Sequence, residues 1–102
     1  MGPLLKPGCT AADNAIVAQG HLRGLADGKG GFGVLKQSKE RLEEAAKAAR
    51  ILGKNPLAAE MILVANKLPN IHDAAAARLL ADQIQPIIDQ TWDLGRYCKG
   101  AR

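Results

Sequence analysis

Apolar residues recur along most of this chain at alternating spacings of three and four, the pattern of helices with one buried stripe. Ala11, Ala15, Ala18, Leu22 and Leu25 form the first stripe and predict a helix over Ala11–Ala26. Thr10 stands as its N-cap, and Asp13 is an acid suited to the first turn. Gly20 and Gly24 weaken this helix. Leu35, Ser38, Leu42, Ala45, Ala49 and Leu52 keep heptad register and predict a second helix over Val34–Leu52, closed by Gly53. Asn55-Pro56 opens a third, Pro56–Leu68, that is apolar nearly all round. Asn70 caps a fourth from Ile71 to Leu94, stopped by Gly95. Its stripe is Ala76, Leu80, Ile84, Ile87, Thr91 and Leu94, and Pro86 within it predicts a kink or break near Asp82–Gln85.

Four helices joined by short connections predict an all-α, up-down four-helix bundle. Residues 1–9, with two prolines and two glycines, read as an irregular lead-in. Residues 28–33 read as a glycine-rich loop and 96–102 as a basic tail. The whole is one domain's worth of chain at 102 residues.

Composition sharpens this picture. The chain holds 18 alanines and three aromatics, Phe32, Trp92 and Tyr97, which disfavours an all-β fold and suits helices packed closely over small side chains. No apolar run approaches the roughly 18 residues of a membrane span. The N-terminal residues carry no secretory signal, and Lys6 stands where a myristoylation signal wants serine or threonine. The expectation is a cytoplasmic protein.

Net charge is +4, and most of the excess lies between residues 35 and 54. A basic patch contacts phosphates in small nucleic-acid-binding proteins. The candidate anion contacts here are Lys36, Lys39, Lys47, Arg50 and Lys54, with Arg96, Lys99 and Arg102 in the tail. Glu40, Glu43 and Glu44 interleave with them at pairing distance, which favours a solvated, salt-bridged face. A helix-turn-helix is disfavoured, because Ala74–Ala77 occupy the places where base-reading side chains belong.

Catalytic constellations are scarce. His21 and His72 are the only histidines, no metal-binding spacing joins them, and Ser38 falls on a buried register. Asp82, Asp89 and Asp93 lie near one face but lack the Glu-x-x-His pattern of a carboxylate metal centre. The expectation is therefore no catalytic residue, no metal and no cofactor.

Gly28-Lys29-Gly30-Gly31-Phe32-Gly33 resembles the glycine-rich loop of protein kinases, whose amides cover nucleotide phosphates. That loop needs a strand on either side, whereas both flanks here have helical spacing. What remains is a flexible interhelix segment and a candidate binding loop.

Cys9 and Cys98 lie near the two ends of the chain. The plainer expectation is a pair of unrelated thiols; the alternative is a disulfide, because an up-down bundle of four helices brings its ends together.

Helix 3 suggests the function. An all-round apolar helix is either buried within the fold or covered by a partner. Leu57, Met61, Ile62, Leu63, Val64 and Leu68, together with Trp92, form the candidate interaction surface. The expected role is a non-enzymatic protein–protein interaction or assembly module, a homo-oligomer or a subunit of a larger complex. A small basic nucleic-acid-binding protein is the alternative.

Overall fold

A computed structural model describes residues 7–101, and side chains as far as Thr91. The helices are α1 (Pro7–Ala26), α2 (Val34–Ile51), α3 (Asn55–Lys67) and α4 (Ala74–Ala101), with a 3-10 turn at Leu68–Asn70. Side-chain contacts run in opposite senses between neighbours, so the order is up-down-up-down. Arg23 reaches Asp82 while Arg78 reaches the carbonyl of Ala26, and His21 meets Ser38 while Asn14 meets Arg41. The expected all-α four-helix bundle is what the chain forms. Helix α1 packs broadly against both α4 and α2, and α3 packs against α2. The α3–α4 seam is the thinnest of the four.

Three boundaries differ from expectation. Helix α1 is already helical at Pro7, the first described residue, so Thr10 lies inside the helix and does not cap it. The extra turn buries Gly8 and Cys9. The cap of α4 is Asp73 and not Asn70. Its carboxylate accepts from the Ala76 amide at 2.7 Å, which frees Ile71 to take an extended conformation and enter the core. Beyond that cap α4 runs through Pro86 and Gly95 to Ala101. Of the kink or break expected near Asp82–Gln85, the break does not form, because α4 is continuous there. Pro86 lies on the solvent side, and α1 braces the preceding turn. The Gln19 amide donates to the Ala81 carbonyl at 3.1 Å and to the Gln85 side-chain oxygen at 3.0 Å, and Arg23 stands 3.8 Å from Asp82.

The first two helices end in the same device. Gly28 and Gly53 hold φ of 78° and 76°, where a side chain is strained. At the end of α2 the amides of Gly53 and Lys54 bond the carbonyls of Arg50 and Ala49, and Gly28 and Lys29 repeat the pattern on Leu25 and Gly24.

The apolar stripes read from the chain form the core. Among the described residues alanine supplies 12 of the 26 buried apolar positions, so bulk is concentrated in a few large side chains: Leu22, Leu42, Met61, Leu68, Ile84 and Ile87 are almost fully enclosed. Leu52 leaves its stripe and is exposed, because the chain has already turned out of α2 at that point. Leu94 lies outside the described side chains. No helix is long and apolar enough to cross a membrane, among the described residues.

Candidate functional site

Helix α3 was expected to need a cover, and the chain supplies most of it. Leu57, Met61, Val64 and Leu68 are buried within the fold, so they form part of its own core and not an outer surface. The 3-10 turn at Leu68–Asn70 presses against α2 and closes the upper end of that core. Ile62 is half-buried, and Leu63 is 63% exposed. Trp92 lies outside the described side chains.

Leu63 occupies a defined place. The exposed positions of α3 are Asn55, Pro56, Ala59, Glu60, Leu63, Asn66 and Lys67, and successive 100° steps put Leu63 at the centre of that face. On the side toward α4, Lys67 Nζ donates to Gln83 Oε1 at 3.3 Å and Gln90 Nε2 donates to Glu60 Oε2 at 3.4 Å. These two long contacts set the antiparallel register and place Leu63 level with the Pro86 turn of α4. Leu79, 66% exposed, lies one turn before Gln83 on the same side of α4. Leu63 therefore lies beside the seam at which the bundle is thinnest, and Leu79 lies just past its end.

The candidate anion contacts are more compromised. A groove of about 840 Å³ runs over the polar face of α2, with Arg41, Lys47 and Arg50 on its walls beside Glu40, Glu43 and Glu44. Lys39 pairs with Glu43 at 2.9 Å and Lys47 with Glu44 at 3.9 Å, while Arg41 donates to the Asn14 side chain at 3.1 Å. Lys36, Arg50 and Lys54 are exposed and make no ion pair among the described residues. The groove presents both signs of charge in equal number and not the single-sign field that gathers phosphates. Arg96, Lys99 and Arg102 lie outside the described side chains.

The glycine loop stays open. Gly28, Lys29, Gly30, Gly31, Phe32 and Gly33 are all exposed, with Phe32 at 41% and turned away from the core. The amides that would cradle a phosphate at the start of α2 are already used: those of Val34, Leu35 and Lys36 bond the carbonyls of Gly31, Phe32 and Gly33. The loop thus builds the first turn of α2.

One polar contact escaped the sequence pattern. His21 Nδ1 lies 2.8 Å from Ser38 Oγ, and that hydroxyl donates to the Val34 carbonyl at 3.0 Å. A serine hydroxyl has one proton. With that proton on Val34, the imidazole Nδ1–H donates to Oγ; with the proton directed at the imidazole instead, the Val34 carbonyl loses the hydrogen bond from the hydroxyl. Ser38 is also fully buried. The pair fastens α1 to α2, and its only trace in the sequence is a serine on an otherwise apolar stripe. Replacing Ser38 by alanine should cost about 0.5–1.5 kcal/mol, the ordinary worth of a hydrogen bond, in a urea titration.

Among the described residues no cluster of histidine, cysteine and carboxylate side chains is suited to a metal ion. Asp82 faces Arg23, and Asp89 accepts from Gln85 at 3.0 Å. Asp93 lies outside the described side chains. Cys9 is buried and takes part in a disulfide. Cys98, the sole other cysteine of the sequence, lies outside the described side chains. The chain matches no protein-family model, and no curated protein or solved structure shows significant similarity to it.

Proposed function

We propose that the protein is a non-enzymatic assembly module that binds another protein chain through the outer face of α3 and the adjoining edge of α4. The observation that carries this reading is the position of Leu63. A leucine 63% exposed at the centre of a helix face, with Leu79 exposed two turns away on the same side of α4, gives a partner an apolar anchor. The polar residues around it, Glu60, Lys67, Gln83 and Gln90, are those of a rim.

A double substitution, Leu63→Asp with Leu79→Asp, tests the reading by light scattering across a concentration series. The wild type should exceed 10.8 kDa at micromolar concentration, and the variant should return to that mass with its helical circular dichroism intact. A wild type that stays at 10.8 kDa, and is purified from its native source without a bound protein, would falsify the proposal.

A further inference from the structure

We infer that the partner is a second copy of this chain, seated antiparallel on α3 about a two-fold axis beside Leu63. This rests on the assembly reading above and names its occupant. The argument is one of charge order. Along the α4-facing flank of α3 stand Glu60 and Lys67, seven residues apart, with Leu63 between them on the exposed face. At 1.5 Å per residue the two charges lie roughly 10 Å apart along the axis. Neither charge has an ionic partner among the described residues, since Glu60 and Lys67 meet only the neutral side chains of Gln90 and Gln83.

Read from one end, the flank runs negative, apolar, positive; read from the other, it runs positive, apolar, negative. A copy turned by 180° therefore sets Glu60 of each chain opposite Lys67 of the other, with the two Leu63 side chains meeting near the axis. A parallel copy would still bring Leu63 to Leu63, but it would set Glu60 level with Glu60 and Lys67 level with Lys67, so that no opposite charges pair. The face is self-complementary in one orientation only, which is the condition for an isologous dimer. Ala59, exposed on the same face, keeps the approach of the two helices close.

Two single substitutions and their mixture decide the matter, read by sedimentation equilibrium. Glu60→Lys turns each cross-pair into two cations, and Lys67→Glu turns each into two anions. Symmetry makes every substitution count twice, so each variant alone should self-associate at least about tenfold more weakly than the wild type. An equimolar mixture of the two sets lysines at 60 and 67 on one chain against glutamates on the other, and should regain wild-type association. Both substitutions are on exposed side chains, and unchanged helical circular dichroism of the variants confirms that the fold is intact.

Recovery in the mixture, absent from either variant alone, is the expected result. If the wild type self-associates and the aspartate double variant abolishes this, but the mixture shows no recovery, the two-fold register is overturned while the assembly reading stands. If the wild type remains at 10.8 kDa throughout and its native complex contains a different protein, the occupant is not a second copy. A monomeric wild type with no such complex removes both.

Discussion

Replacing Leu42 with alanine should lower the free energy of unfolding by about 2–5 kcal/mol, the usual range for a leucine deleted from a closed core. Against the roughly 5–15 kcal/mol expected for a domain of this size, that is a large fraction of the whole. The corresponding drop in melting temperature is on the order of 10–30 °C. The cost belongs at the upper end of the range because of what surrounds the site. Leu42 is fully enclosed, and Ala45, Ala46 and Ala49 one and two turns on are enclosed as well. Alanine has no rotamers with which to fill a void, and dense packing lets the backbone relax only partly. A core of few large side chains set among many alanines repairs a hole poorly. The same truncation at Leu63 serves as the control. That side chain is 63% exposed, so Leu63→Ala should move the stability of the unassociated chain by no more than about 0.5 kcal/mol in a urea titration at high dilution. A Leu42→Ala loss below about 1 kcal/mol would show that this part of the core is looser than its burial implies.

The second large effect concerns Cys9. Its thiol is committed to a disulfide, and the expected partner is Cys98, the only other cysteine in the chain. A bridge between these positions closes a loop of about 90 residues, and restricting the unfolded chain to that extent contributes up to about 4–5 kcal/mol. Cys9→Ser should therefore lower the denaturation midpoint sharply under oxidising conditions. In excess reductant the wild type should fall to the level of the variant. Thiol alkylation without reductant, followed by mass measurement, checks the premise directly: two labels on the oxidised protein would remove it. The bridge also bears on α1. The extra turn Pro7–Thr10 is held at its start by a buried Cys9, so losing the bond should release that turn before the rest of the helix.

Much of the fold was legible in the sequence because period and punctuation are local properties. The stripes Ala11–Leu25, Leu35–Ala49 and Leu80–Thr91 are buried as their spacing implies, and Gly53 ends α2 through the left-handed conformation that glycine adopts freely. Caps were less legible, since Asn70 and Asp73 are both good N-caps by residue type. The choice between them depended on Ile71 finding a place in the core, which is a tertiary matter. Pro86 is a similar case. Its local cost is fixed, but whether the helix breaks depends on what braces it, and Gln19 and Arg23 come from a helix more than fifty residues earlier in the chain.

The candidate site divides along the same line. Hydrophobicity alone marked α3 as a helix to be covered, and it selected Leu57, Met61, Ile62, Leu63, Val64 and Leu68 without distinguishing among them. Only the packing of α3 against α2, with the 3-10 turn closing over its end, assigned Leu57, Met61, Val64 and Leu68 to the core and left Leu63 outside. The basic segment divided likewise: its residues were visible in the sequence, but the order in which Lys39, Lys47 and Arg41 meet Glu43, Glu44 and Asn14 was decided by rotamers and by the neighbouring helix. By itself, then, the sequence determined the helices, their buried stripes and the all-α class, because those follow from periodicity within single segments. The tertiary structure decided which apolar residues remain for a partner, because that depends on how much of each helix its neighbours cover.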